Sequence, residues 1–198
     1  MNHCDNRRIL VVDDNPAIHN DFRKILGESK SANGSASAAK AAFFGKESAD
    51  VGMAGFDIES AYQGEEALEI VRRSTSTAST FAMAFVDVRM PPGLDGVETI
   101  ARLWTIDPDV QCVICTAYAD YSWQAMIDKL GVSDRLLILK KPFDPIEVRQ
   151  IAMSLTEKWN ATRRDRQRMK EVERAEKEAR AYSSSLVTVN RALETAKA

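Results

Sequence analysis

The chain has 198 residues, 44% hydrophobic and 28% charged, with a net charge of −2. That length accommodates one domain with a sizeable core plus an appendage and leaves nothing for a second globular domain, while the small net charge argues against a general nucleic-acid-binding surface. No stretch approaches the ~18–20 apolar residues of a membrane span, the N-terminus lacks the apolar core of a signal peptide, and an odd cysteine count without such a signal fits a reducing, cytoplasmic setting with no direct membrane contact.

Residues 1–6 read as a tail. The first strand is Ile9-Leu10-Val11-Val12, running into Asp13-Asp14. A helix starts at Asn15-Pro16, carries Ile18, Phe22, Ile25 and Leu26 on one face and ends near Gly27. Residues 28–55, rich in Ser, Ala, Gly and Asn, far exceed the ~2–6 residues of an αβ loop, so a partly ordered insertion is expected there, with one short helix over Ser35 to Gly45 that includes Phe43-Phe44. Phe56 to Ser60 alternates as an edge strand does, and a helix from Glu65 to Arg73 follows. The third strand, Phe81 to Val86, runs into Asp87; the fourth, Val110 to Cys115, precedes Thr116; the fifth, Leu136 to Leu139, precedes Lys140-Lys141-Pro142. Continuous apolar runs of this length suit strands covered on both faces, which gives an α/β fold with a five-stranded parallel, doubly wound sheet. Cys112 and Cys115 are three apart in one strand, hence on opposite faces; they read as core, since no second pair completes a zinc site.

Beyond Pro145 the pattern becomes one long helix without Gly or Pro to Ala198. Val172, Ala175, Ala179, Tyr182, Leu186, Val189, Leu193 and Ala196 are spaced alternately three and four apart, a heptad stripe that predicts a parallel dimeric coiled coil. Leu155 and Trp159 are out of phase with it, which places a stutter near Arg163 to Met169. A stripe that stops in mid-pattern is expected of a piece of a longer protein, with 159–198 as a linker to an output module.

The polar residues at the strand ends define the chemistry. Asp13, Asp14, Asp87, Thr116 and Lys141 all fall on the rim where open α/β sheets bind ligands. Carboxylates gathered there repel one another unless a pKa rises or a cation neutralises them, and oxygen donors on an open rim suit Mg²⁺. Such a pocket invites a phosphoryl group. Asp87 is placed to attack phosphorus and form an aspartyl phosphate, with Lys141 offsetting charge on the transferring oxygens and Thr116 donating its hydroxyl to one of them. His3 and His19 stand in no predictable relation to this rim and are poor phosphodonor candidates.

The acidic pair, Asp87-Val88-Arg89-Met90-Pro91, Asp95-Gly96, Thr116-Ala117 and Lys141-Pro142-Phe143, in this order and all beyond strand ends, resemble the receiver domain of two-component response regulators. The resemblance covers residues 7–158 and implies a flavodoxin-like receiver fold. It implies that Asp87 is the phospho-acceptor, that Asp13, Asp14, Asp87 and the backbone carbonyl of Arg89 hold Mg²⁺, and that Thr116 and Lys141 bind the phosphoryl group. A cis peptide at Lys141-Pro142 and a partner carrying a phosphohistidine, either a kinase or a phosphotransfer domain, are implied as well. Two departures stand out: Ile138 replaces the aromatic residue that many receivers carry three residues before the lysine, and the loop from Met90 to Gly96 is one residue longer than the common pattern. Arg89 and Tyr118 occupy positions that modulate phosphate lifetime in the family.

The last stretch, Leu186 to Ala198, resembles the coiled-coil lead-in of hybrid sensor histidine kinases, which makes a kinase the expected output. A phosphorelay receiver forming a homodimer through its C-terminal helix is therefore the leading reading. The alternatives are a phosphorylation-independent, receiver-like dimerisation module and the receiver of a cyclic-di-GMP enzyme. The basic run Arg163 to Arg168 followed by heptads loosely resembles a basic zipper, but acids interleave with it, and no nucleic-acid partner is expected.

Overall fold

In the computed structural model, residues 5–27, 55–117 and 123–195 are described, the last of these without the side chains of Trp123 and 184–195. They alternate strand and helix: β1 Arg8–Val12, α1 Pro16–Leu26, β2 Asp57–Ala61, α2 Gly64–Ser76, β3 Met83–Asp87, α3 Gly96–Ile106, β4 Gln111–Thr116, α4 Trp123–Leu130, β5 Leu136–Lys140 and α5 Pro145–Thr195. The strands form one sheet in the order β2-β1-β3-β4-β5, every pair parallel. This is the doubly wound sheet that the apolar runs predict. The insertion expected at 28–55, with Phe43-Phe44, falls almost wholly outside the described residues, as does Tyr118.

Alternate residues of each inner strand enter different cores. Leu10, Val12, Ala84, Val86, Cys112 and Ile114 meet α2, α3 and α4 through Leu68, Val71, Val97, Ile100, Leu103 and Met126. Ile9, Val11, Met83, Phe85, Val113 and Cys115 meet α1 and α5 through Phe22, Leu26, Val148, Ala152 and Leu155. Period-two alternation over two buried faces explains why these strands read as unbroken apolar runs. Cys112 and Cys115 accordingly lie on opposite faces, both buried and both free.

The strand bounds differ from the sequence reading at the C-terminal ends. Asp87, Thr116 and Lys140 are themselves the last residues of β3, β4 and β5. Ladder bonds persist past the apolar stretch: Asp13 N–H donates to Ala61 O (3.1 Å), Val88 N–H to Cys115 O (3.0 Å) and Lys141 N–H to Thr116 O (2.9 Å). Polar side chains at a rim do not stop the backbone from pairing. At the other end of the sheet, Arg8 bridges Asp57 and Glu59 (3.3 and 2.7 Å) and lies over the Phe81 ring.

Two helix starts matter for the rim. Asn15 caps α1, its side chain accepting from Ala17 N–H, with Pro16 opening the helix. Asp95 caps α3, its Oδ1 accepting from Glu98 N–H at 2.7 Å. Gly96 N–H donates to Val88 O (2.9 Å), and a Cβ on Gly96 would overlap the Asp87 carbonyl oxygen. Only glycine lets α3 begin hard against the end of β3.

The chain divides into two compact units, residues 1–159 and 160–198. In the second, Met169, Val172 and Tyr182 are exposed, and Arg168–Asp165, Arg174–Glu178 and Arg180–Glu176 form ion pairs one turn apart. The heptad side chains at Leu186, Val189, Leu193 and Ala196 lie outside the described set. Among the described residues, no helix is long and apolar enough to cross a membrane.

Candidate functional site

The C-terminal edge of the sheet brings together Asp13, Asp87 and Lys141. β1 and β3 are neighbours, and Asp87 pairs in register with Cys115 of β4, so Lys141, one residue past β5, reaches across the end of β4. Its Nζ lies 2.8 Å from Asp13 Oδ2 and 2.6 Å from Asp87 Oδ1. The remaining carboxylate oxygens are held by backbone: Asp13 Oδ1 accepts from Asn15 N–H (2.9 Å) and Asp87 Oδ2 from Arg89 N–H (3.1 Å).

Both acids are almost fully buried, and the Lys141 side chain is about a quarter exposed. Burial pushes the Asp87 carboxyl above the usual carboxylate range; the Lys141 contact pulls it back only in part, and the Asp13 charge adds to the rise. For Lys141 burial acts to lower the pKa, but its bonds to Asp13 and Asp87 outweigh that and hold the ammonium above the ordinary lysine value. The result is a proton-hungry acid beside a firmly charged lysine.

The other sequence-predicted residues sit nearby with different contacts. Asp14 is exposed at the same rim. Thr116 ends β4 half-buried, and its hydroxyl donates to the Ala117 carbonyl (2.8 Å). Arg89 follows Asp87 with its side chain outward, while its amide faces the acid. Among the described residues no three His, Cys, Asp or Glu side chains are gathered for a metal; Lys141 lies between Asp13 and Asp87 instead. The donor chemistry still fits a hard divalent ion: carboxylates of Asp13, Asp14 and Asp87 and the carbonyl of Arg89 are oxygen donors on an edge open to water, as Mg²⁺ prefers.

The loop from Met90 to Gly96 is tied to the start of α2. Gln63 Nε2 donates to Pro91 O (3.3 Å), and a Cβ on Gly64 would come 2.9 Å from Leu94 Cβ. Pro91-Pro92 and Lys141-Pro142 are cis peptides, the second as the resemblance implies. Ile138 is half-buried against the α2-α3-α4 core.

One residue set aside in the sequence turns out to adjoin the rim. His19 is fully buried, its Nε2 lies 2.7 Å from the Asp13 carbonyl oxygen, and its ring lies 4.6 Å from that of Tyr62. Its spacing, three before Phe22 and seven before Leu26, places it on the buried face of α1; that helical period was the available signal.

Comparison with known proteins agrees with this geometry. The response regulator receiver domain family matches residues 46–153, more than half of the chain and including Asp87, Thr116 and Lys141. Sporulation initiation phosphotransferase F of Bacillus subtilis (strain 168) is 29% identical over 144 residues, 73% of this chain and 89% of the relative. Among solved structures, adenylate cyclase from Rhodopirellula baltica superposes with a TM-score of 0.59 at 20% identity, covering 83% of this chain and 98% of that one. A CheY-like receiver domain protein from Methanospirillum hungatei JF-1 gives 0.55 at 18% identity, with 79% and 98% covered. The sheet order, the acids on its C-terminal edge and the family match agree, and the chain belongs to the response regulator receiver domain family, with a place in phosphorelay signalling.

Proposed function

We propose that this receiver, residues 7–158, accepts a phosphoryl group on Asp87 from a histidine-phosphorylated kinase or phosphotransfer domain in a Mg²⁺-dependent reaction. The observation that carries the reading is the contact of Lys141 Nζ with Asp87 Oδ1 at 2.6 Å, with Asp13 Oδ2 at 2.8 Å on the other side. A carboxylate oxygen of Asp87 attacks phosphorus in line; the P–N bond to the donor imidazole breaks, its electron pair stays on the imidazole, and an acyl phosphate is left on Asp87. Lys141 keeps its charge throughout and neutralises the phosphoryl oxygens as they arrive. Thr116 leaves the Ala117 carbonyl and donates its hydroxyl to one of them. Asp13, Asp14, Asp87 and the Arg89 carbonyl would hold Mg²⁺, which when bound supplies positive charge against the same oxygens.

Residues 159–198 form the dimerising helix that passes the change to an output such as a histidine kinase; the heptad stripe supports this part. The test is intact-mass and sedimentation analysis of wild type and D87N with Mg²⁺ and a small phosphodonor or beryllofluoride. An adduct that needs both Asp87 and Mg²⁺ is expected, with a shift in self-association. Absence of any adduct would move the assignment to the phosphorylation-independent dimerisation module.

A further inference from the structure

His19 is a buried ionisable side chain beside the rim to which the proposed reaction gives no task. Asp13 is restrained at four points. Its N–H donates to Ala61 O, its Oδ1 accepts from Asn15 N–H, its Oδ2 accepts from Lys141, and its carbonyl meets His19 Nε2 at 2.7 Å. The first three are a sheet bond, a turn bond and an ion pair. The fourth comes from the second turn of α1, reaching back to the point where β1 ends.

Because a carbonyl oxygen only accepts, Nε2 is the donor in this contact. Nδ1 is buried and has no hydrogen-bond partner. One tautomer satisfies the Asp13 carbonyl at the expense of an idle ring nitrogen. Tyr62, at the end of β2, lies against the ring at 4.6 Å and closes it in.

We propose that His19 is a positioning residue for the acidic turn. By donating from Nε2 to the Asp13 carbonyl, it fixes the peptide that aims the Asp13 carboxylate at Lys141 and sets Asp14 at the open edge, and so tunes how tightly the rim takes a divalent cation. The inference rests on the reading of this rim as a Mg²⁺ site. Partners that orient a ligand without touching the ion commonly change metal affinity by about 10–100-fold when removed.

Two variants of the full chain separate donation from packing. H19F keeps a ring against Tyr62 and loses the donor; H19Q loses the ring and keeps an amide that can donate to the carbonyl. Calorimetric titration with MgCl₂ is expected to show H19F weakened about tenfold and H19Q within about threefold of wild type. Nitrogen chemical shifts of metal-free wild type are expected to show His19 protonated on Nε2. Mg²⁺ affinity unchanged in H19F, or H19Q weaker than H19F, would reduce His19 to packing and leave the receiver reading intact. A ring without a proton on Nε2 would overturn the inference whatever the variants do. If wild type itself binds no Mg²⁺, the metal site falls, and this role falls with it.

Discussion

Asp87 bears a cost of burial that its lysine partner does not fully offset. With the folded pKa raised above 3.8, the folded state holds the proton over a window in which the unfolded chain has released it. Stability from this group is therefore present below the unfolded pKa and falls as pH rises through the raised value. D87N lacks this loss. In metal-free buffer at pH 7 its thermal midpoint is expected to lie above that of wild type, with the gap closing toward pH 3. Mg²⁺ should reverse the order by lifting wild type alone. Scanning calorimetry at both pH values checks this, and a D87N midpoint at or below wild type at pH 7 would remove the burial account. Asp87, Asp13 and Lys141 were legible in the sequence because each comes just after a short apolar run that suits a buried strand. The burial of His19 had a signal in the helical period of α1, but its contact had none, since its partner is a backbone carbonyl, and a carbonyl has no signature in the choice of residue.

At the scale of elements, the junction of β3 with α3 leaves no room for a side chain at Gly96. Gly96 lets the helix start against the Asp87 carbonyl, and Asp95 caps the same turn. G96A has to move either the helix or the acid. Overpacking of this kind costs about 1–3 kcal/mol, and the rate of adduct formation on Asp87 should fall with it. D95A removes a cap worth about 1 kcal/mol and leaves the close approach intact, so it should destabilise with a smaller loss of rate. Chemical denaturation alongside time-resolved mass analysis distinguishes the two, and equal rate losses would show that the approach of Gly96 has no special role. The strands were readable from their apolar runs, and Asn15-Pro16 marks α1 in the sequence as it does in space; α3 and α4 were not read from the sequence. The strand ends were read short because Asp87, Thr116 and Lys140 look like loop residues, whereas the parallel ladder continues through them on backbone bonds alone. The docking of Met90–Gly96 on Gln63 and Gly64 was also invisible, as it depends on two loops meeting at long range.

For the whole molecule, the exposed residues of the C-terminal helix carry the prediction. Val172 and Tyr182 are more than half exposed, which is the state expected of heptad positions before a second chain covers them. Replacing Val172 and Leu186 with lysine should convert a dimer to monomer in sedimentation equilibrium and leave the Asp87 adduct unchanged. A wild-type chain that is monomeric at high micromolar concentration would remove the dimer from the proposal. The receiver fold was legible from order and spacing over most of the chain; the helix partner was not, because a stripe of small and aromatic residues states only that a face needs covering.

The placement of the two strand cysteines on opposite faces has a use of its own. Each thiol is sealed in a different layer, Cys112 beneath α2, α3 and α4 and Cys115 beneath α1 and α5, and burial pushes both thiols up, Cys112 to about 12. Neither presents a thiolate at neutral pH until its own cover lifts. Labelling with a thiol reagent, followed site by site by peptide mass, therefore clocks the opening of each layer separately within one molecule. If the two halves of the domain breathe independently, the rates will differ, and beryllofluoride will slow one thiol more than the other; equal rates under all conditions mean that the sheet opens only as a unit. The protein carries its own paired stopwatch, one hand on each side of the sheet.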